Sequence, residues 1–256
     1  MRQNLNSILQ TFETISLEEM ESVKLMDRID TKFTFTVSDL ESILPQLLHD
    51  YKVLEIEGVK GSRYKTLYFD TSSFSLYTAH HNGKLNRYKI RHRTYLDSGL
   101  TFLEVKFKSN KGRTIKERIK TAIPTENWTE EQARFLHQKL PFAPDVLQAV
   151  IWVNYTRLTL VSKTSQERLT IDLNLHFEKG ATDIKMDNLV IAEVKRGGKM
   201  ESAFIKEVRK RFIREGSISK YCMGVAFCVQ EVKKNNFKER ILNLKKIISN
   251  DIITSN

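Results

Sequence analysis

The sequence predicts an α+β fold, an antiparallel β-sheet curled into a barrel with a charged interior and helices packed outside. Three observations lead there. From Asn86 to Lys120, three consecutive segments alternate at period two: Arg87, Lys89, Arg91 and Arg93 against Tyr88, Ile90, His92 and Thr94; Glu104, Lys106 and Lys108 against Leu103, Val105 and Phe107; Lys116, Arg118 and Lys120 against Ile115, Glu117 and Ile119. Such alternation puts each set on one side of a strand. Glu104 is the only carboxylate in these charged rows. Like charges facing each other across strands repel, so the face calls for an anion, whereas a solvated face usually mixes signs. The opposite face is too apolar for water and calls for a cover, and a curled sheet with helices outside meets both demands.

Residues 4–25 read as helical, with Leu5, Ile8, Leu9, Phe12 and Ile15 on one stripe and a break near Ser16. In the first strand Arg28, Asp30 and Lys32 share a face, and Ile29, Phe33, Phe35 and Val37 largely form the other. Ser38 is the expected cap of a helix through Leu40, Ile43, Leu44 and Leu47, shortened or kinked by Pro45. Tyr51 to Glu57 and Ser62 to Asp70 read as a hairpin around Gly58 and Gly61, followed by a helical turn from Ser72 to His81. After the three basic strands come a helix near Glu130 to Lys139, a hairpin of Val150 to Val161 with Arg168 to Leu173, and a strand from Leu189 to Lys195. The remainder reads as helices over 199–214, 221–232 and 237–248. The count is about eight to ten strands, mostly antiparallel by loop length. No composition shift marks a boundary, so residues 1–256 are expected to form one domain, its core at about 24–230 and a C-terminal helix at about 235–250.

Forty-two Lys and Arg against thirty-one Asp and Glu give a net charge of +11. That excess points to a polyanionic partner: nucleic acid, a membrane surface or a phosphorylated small molecule. Cys222 and Cys228 lack His or Cys at metal-ligand spacing and read as reduced packing residues of a cytoplasmic protein. The longest apolar runs fall far short of a bilayer span, and the polar start after Arg2 lacks a signal-peptide core.

By phase the interior collects Arg28, Lys32, Lys89, Arg91, Arg93, Lys106, Lys116, Arg118, Arg157, Arg168 and Lys195, with Asp30, Glu104, Asp172 and Glu193 among them. The six histidines are scattered and none is in phase with the charged rows, which argues against nucleophilic catalysis by a side chain. The set suits phosphate: guanidinium forks clamp oxygens in pairs, lysines add point charge, and one or two carboxylates hold a divalent metal.

The phrases Arg28-x-Asp30-x-Lys32-Phe33, Leu67-Tyr68-Phe69-Asp70-Thr71, Lys89-Ile90-Arg91-His92-Arg93, Phe102-Leu103-Glu104-Val105-Lys106, Lys116-Glu117-Arg118, Tyr155-Thr156-Arg157, Arg168-Leu169-Thr170-Ile171-Asp172, Glu193-Val194-Lys195 and Ser219-Lys220-Tyr221 run in order along the chain. Together they resemble the catalytic domain of the vacuolar transporter chaperone (VTC) polyphosphate polymerases, within the triphosphate tunnel metalloenzymes. The resemblance implies a β-barrel tunnel and an ATP-dependent polymerase whose substrates are ATP and polyphosphate. It makes Arg91, Arg93, Lys106, Lys116, Arg157 and Lys220 phosphate ligands and places Lys32 at the first strand's phosphate-facing position. Glu193 would bind Mn²⁺ or Mg²⁺. The interior phase adds Lys89, Arg118, Arg168, Lys195 and Arg28 as further substrate-binding candidates.

Hydrolytic members of the wider superfamily tend to carry Glu-x-Glu-x-Lys in the first strand, where this chain has Arg28-x-Asp30-x-Lys32. Loss of one carboxylate disfavours a two-metal hydrolase. A triphosphate or polyphosphate hydrolase on the same tunnel and a non-catalytic polyanion binder stay open. Nucleic acid is not the expected partner, because Tyr88 and Phe107 fall on the wrong strand face to stack bases beside the cations. The chain has no room for the phosphate-sensing and membrane segments of eukaryotic polymerase subunits, so a membrane-protein partner rests on family analogy alone. Oligomeric state is open.

Overall fold

The computed structural model describes residues 3–22, 28–122, 124, 127–198 and 201–249, apart from the side chains of 21, 22 and 28. The ends of the expected 4–25 and 199–214 helices, residues 23–25 and 199–200, therefore lie outside the described residues.

Helix α1 (Gln3–Gln10) and strand β1 (Thr14–Ile15) precede α2 (Leu17–Ser22). Ser16 and Glu19 close the start of α2 reciprocally: Ser16 N donates to Glu19 at 2.8 Å, and Glu19 N donates to Ser16 Oγ at 3.2 Å. The expected break at Ser16 is thus a capping box. Strand β2 (Arg28–Thr36) runs straight into α3 (Val37–Ile43). Its cap is Thr36, paired with Asp39, and not Ser38 as the sequence suggested. Thr36 is extended and free to accept from the Asp39 amide, whereas Ser38 already lies inside the helix. Pro45 turns the next residues, Leu44–Leu47, into a short 3₁₀ helix.

Strands β3 (Tyr51–Leu54) and β4 (Ser62–Thr71) do not pair with each other, which corrects the expected hairpin. Strand β3 pairs with β1 and with β8 (Leu147–Ser162), while β4 sits between β8 and β5 (Arg87–Tyr95). The turn signals at Gly58 and Gly61 serve only an isolated bridge from Ile56 to Val59. Helix α4 (Ser75–His81) joins β4 to β5. The basic meander continues through β6 (Thr101–Lys108) and β7 (Thr114–Thr121), followed by α5 (Glu130–Lys139). Strand β9 (Glu167–Lys179) is longer than expected and pairs with β10 (Thr182–Met186), which the sequence reading missed. Asn174 sits at φ 52°, and the β8–β9 register shifts beside it. That bulge flips the in–out phase, which hid the second half of β9. Strand β11 (Leu189–Gly197), α6 (Ala203–Lys210), α7 (Lys220–Cys228) and α8 (Lys238–Ser249) complete the chain.

The main path of the sheet runs β2-β11-β9-β8-β4-β5-β6-β7, and its pairings are antiparallel. It is not a closed barrel, because no hydrogen-bonded ladder joins β2 to β7 among the described residues. The sheet nevertheless curls back on itself: Lys32 on β2 lines one cavity with Lys89 and Lys106 of β5 and β6 and acts electrostatically on both. Phe33, Phe35, Leu169, Ile171, Val190 and Ala192 face outward under α1, α3 and α6. Leu67, Phe69, Ile90, Leu103 and Val105 do the same under α5. The charged alternate residues therefore face inward.

Helix α7 covers part of the concave face, packing Tyr221, Cys222 and Val225 against Ile151, Leu175 and Phe177. The approach is close. A Cβ on Gly224 would stand 2.8 Å from side-chain carbons of both Ile151 and Phe177. Gly224→Ala is therefore expected to lower the urea midpoint at unchanged slope, a cost of ~1–3 kcal/mol from overpacking that outweighs the gain in helix propensity.

Among the described residues no helix is long and apolar enough to cross a membrane. Cys222 and Cys228 are free thiols, the first buried.

Candidate functional site

Three carboxylates on the inner face each gather two or more cations. Glu104, with its side chain 1% exposed, faces Arg91 across the β5–β6 ladder. Arg91 Nε donates to Glu104 at 2.7 Å and Nη2 lies at 2.6 Å; Lys116 reaches the same carboxylate at 2.7 Å and Arg93 at 3.8 Å. Asp172 takes a two-pronged fork from Arg157, with Nε at 2.7 Å and Nη2 at 2.8 Å, and a further bond from Lys220 at the start of α7. Glu193 pairs with Lys195 on its own strand and with Lys32 on β2 at 3.3 Å.

Burial pushes all three carboxyls up, but their cations prevail. Arg91, Arg93 and Lys116 hold Glu104 at about 2, Lys195 and Lys32 hold Glu193 at about 2, and Arg157 with Lys220 holds Asp172 well below the usual carboxylate range. A carboxyl depressed in the folded state stabilises above its unfolded value of about 4.3 and loses that contribution as pH falls. The urea midpoint is therefore expected to drop between about pH 5 and pH 2, with Glu104 alone supplying roughly 3 kcal/mol of the loss. A Glu104→Gln variant, lower at neutral pH, should show a shallower decline.

Lys89 and Lys106 differ: among the described residues no carboxylate pairs with either. They line a cavity of about 740 Å³, together with Asp30, Lys32, Arg87, Lys108, Arg240 and the chain from Ser217 into α7. Burial, with Lys32 and Arg91 nearby, lowers the Lys89 ammonium. Burial and the charges of Lys89, Lys32 and Arg91 bring Lys106 down to about 8. The Lys106 side chain opens onto the cavity, so water screens part of this repulsion. Neutral His80, held at about 3 by burial and by Lys89 and Arg87, also lines the cavity and bonds the Tyr88 carbonyl at 3.2 Å. The reading that no histidine joins the charged rows missed it, because His80 comes from α4 and not from a strand. His92 points outward between Phe69 and Trp128, and burial keeps it neutral at about 4.

A tyrosine floor underlies the cations. Tyr64 stacks on Tyr155 at 4.9 Å and 6°. The Arg93 and Arg157 guanidinium carbons each lie 5.4 Å from the Tyr64 ring, and the Lys220 ammonium lies 4.7 Å over Tyr155. Tyr68 accepts from Arg91 Nη1 at 2.9 Å. The period-two spacing of Tyr64, Thr66 and Tyr68, and of Tyr155 with Arg157, carried this signal, but the sequence reading followed only charge.

The structure thus brings together Arg91, Arg93, Lys116, Arg157, Lys220, Lys32 and Lys195 around three carboxylates, and Lys89 and Lys106 in the cavity. Arg118, exposed, lies opposite Glu104 across the β6–β7 ladder with its guanidinium 4.4 Å from the Phe102 ring centre. Arg168 reaches the Met20 carbonyl of α2 at 3.3 Å. The Arg28 side chain lies outside the described residues. Asp172, which the sequence left between a turn and a hydrogen-bonding role, is the anchor of Arg157 and Lys220.

A divalent metal tests differently against the three carboxylates. Guanidiniums fork Glu104 and Asp172, whereas the partners of Glu193 are two lysine ammoniums on flexible stems. Glu193 therefore fits a Mg²⁺-like ion that takes one protein carboxylate and draws its other ligands from phosphate and water. Among the described residues, the one group of three or more metal-ligating side chains is His176, Glu178 and Asp183 on β9 and β10. These come after the phase flip at Asn174, apart from the three carboxylates above.

Fold and lumen define a tunnel-like α+β protein with a polycationic interior. The VTC domain model matches residues 27–229, and the chain belongs to the VTC domain family. No match was found among curated protein sequences. Similar solved structures include an assigned adenylyl cyclase from Hippeastrum reported to have a dominant triphosphatase activity, at 14% identity and TM-score 0.48 over 80% of this chain and 98% of that one. An assigned adenylate cyclase from Bacillus halodurans matches at 13% identity and TM-score 0.47, over 80% of this chain and all of the other. Likenesses at this level bear on no functional statement.

Proposed function

We propose that the chain, as a single cytoplasmic domain, is an ATP-dependent polyphosphate polymerase that transfers the γ-phosphoryl group of ATP to a growing polyphosphate chain in the tunnel. The observation that carries this reading is the surplus of inward cations. Glu104, Asp172 and Glu193 already have partners, yet Lys89 and Lys106 face the cavity with no paired carboxylate among the described residues. A linear chain of phosphates supplies the missing anion along the length of the lumen. Membership in the VTC domain family supports the same reading.

In the reaction, an oxygen of the acceptor chain's terminal phosphate forms a bond to the γ-phosphorus, the β–γ bridging P–O bond breaks, and ADP leaves with that electron pair. Such transfer needs alignment and charge neutralisation, and no covalent nucleophile from the protein. Arg91 and Arg157 are held by their carboxylates and by the tyrosine floor, so their remaining guanidinium N–H groups need little reorganisation to meet phosphate oxygens. Lys116, Lys220, Lys32 and Lys195 sit beside these forks and can turn from carboxylate to phosphate. Lys89 and Lys106 hold the part of the chain lying in the cavity. A divalent metal held by Glu193 would neutralise charge on phosphate oxygens when bound.

Because Lys106 titrates near 8, tripolyphosphate affinity should fall as pH rises through about 8, where the free protein loses that charge. Lys106→Arg should flatten the fall, since a guanidinium stays protonated throughout. Calorimetric titrations from pH 6.5 to 9.5 check this.

The proposal is tested by incubating the protein with ATP and Mn²⁺ or Mg²⁺, with and without a short polyphosphate primer, and resolving ADP, free phosphate and polymer. Polymer with ADP is the expected result. Free phosphate without polymer would make it a hydrolase; tight binding without turnover would make it a polyanion-binding module.

A further inference from the structure

Asp70 carries a carboxylate that the proposed chemistry does not use, and it is fully buried with no cation paired to it among the described residues. Its Oδ1 accepts from the amides of Thr71 at 2.7 Å and Leu76 at 2.9 Å, and its Oδ2 accepts from the Tyr77 amide at 2.8 Å and from the Tyr221 hydroxyl. One carboxylate thus ties the end of β4, the first turn of α4 and the first turn of α7 together. Backbone amides supply most of the bonds. The side-chain bonds come from the Tyr221 hydroxyl and, at 3.5 Å, from the hydroxyl of its neighbour Thr71.

Tyr221 is 1% exposed and has two lumen cations as close associates. Lys220 precedes it in the chain and pairs with Asp172 over the Tyr155 ring. On the other side the Tyr221 ring stacks on Tyr68 at 5.0 Å, and Tyr68 in turn holds Arg91 at 2.9 Å. Ser219 caps α7 through the Cys222 amide, so the first turn of the helix is fixed at both its cap and its second residue. The close approach at Gly224 fixes the helix a turn further on, so the Asp70–Tyr221 bond acts on the first turn, where Lys220 sits.

We propose that Asp70 and Tyr221 are positioning residues: their hydrogen bond sets the first turn of α7 and thereby aims Lys220 at bound phosphate. This rests on the reading of the lumen as a phosphate site. It accounts for Asp70 and Tyr221 within the phrases Leu67-Tyr68-Phe69-Asp70-Thr71 and Ser219-Lys220-Tyr221, whose roles charge alone leaves unexplained.

Tyr221→Phe keeps the ring and its stack on Tyr68 and removes only the hydroxyl. Two measurements then decide. In calorimetric titration with tripolyphosphate, Tyr221→Phe should weaken binding about tenfold, while in a Lys220→Ala background the same change should have an effect of less than about twofold. Equal losses in the two backgrounds, or no loss in either, would overturn the proposal, since a general structural role predicts additivity. Independently of any ligand, the ammonium protons on the ¹⁵Nζ of Lys220, assigned with Lys220→Arg, should exchange faster with water in Tyr221→Phe as the pairing with Asp172 loosens. An unchanged exchange rate overturns the positioning role, and that arm holds even if wild-type protein binds no tripolyphosphate, a result that would refute only the phosphate reading. Asp70→Asn, which removes the charged acceptor, serves as the second variant and should speed the same exchange.

Discussion

Arg91→Ala is expected to reduce tripolyphosphate affinity and any polymer formation by at least about a hundredfold and to destabilise the fold by ~3–5 kcal/mol. The two effects share one cause. Arg91 contributes the shortest pairing to Glu104 and the bond to the Tyr68 hydroxyl, so its loss leaves a carboxylate with a 1% exposed side chain leaning on Lys116 at 2.7 Å and on distant Arg93 at 3.8 Å. Removing one partner of a buried pair costs far more than the pair is worth, because the other charge stays desolvated. The affinity loss comes from the same guanidinium, whose N–H groups not taken by Glu104 and Tyr68 are left to meet phosphate oxygens. The two can be separated with the double variant Arg91→Ala/Glu104→Gln. Removing the orphaned charge should recover a large part of the stability, read by urea denaturation, and little of the affinity. Recovery of both would mean that Arg91 serves the fold and not the ligand.

Glu193→Gln is expected to act in opposite directions on two properties. Without divalent metal, tripolyphosphate should bind about tenfold more tightly, because Lys32 and Lys195 lose their internal anion and become free for phosphate. With Mn²⁺ or Mg²⁺ present, turnover of ATP should fall by a hundredfold or more, because the carboxylate without a guanidinium partner is gone. Stability at neutral pH should also fall, though by less than in Glu104→Gln, since the Glu193 side chain is 20% exposed where that of Glu104 is 1% exposed and water can reach the two ammoniums. Paired titrations with chelator and with metal, alongside the ATP assay, check this. If affinity and turnover both fell, Glu193 would be holding the lumen in shape and not offering a metal ligand.

Much of this arrangement was legible in the residues because the period of a strand is fixed by its backbone. Arg91, Glu104 and Lys116 could be put on one face from alternation alone, and their strands follow one another through short loops, so the meander β5-β6-β7 emerged intact. The longer-range pairings were not legible. Strand β3 lies beside β8 and not beside β4, a contact across more than a hundred residues that no local turn signal encodes. A single left-handed residue, Asn174, reversed the phase of β9 and concealed both its second half and β10. The tyrosine floor was passed over because tyrosine at alternate positions reads as ordinary core. The partnership of Asp172 with Lys220 needed the helix start of α7 to be placed in three dimensions. Charge and period locate a lumen; which cation meets which carboxylate depends on the register between strands that are distant in sequence.

The central claim, that the inner face binds chained phosphate, is tested most directly by titrating tripolyphosphate into the protein at several salt concentrations, in parallel with Arg157→Ala and Lys65→Ala. Arg157 is forked by Asp172 inside the lumen, whereas Lys65 is exposed and lies over Trp152 at 4.6 Å on the outer face. Saturable one-site binding that weakens with salt, is lost in Arg157→Ala and is unchanged in Lys65→Ala is the expected result. Equal weakening by both variants would mean that phosphate associates with the general positive charge of the chain, and the tunnel would not be its site.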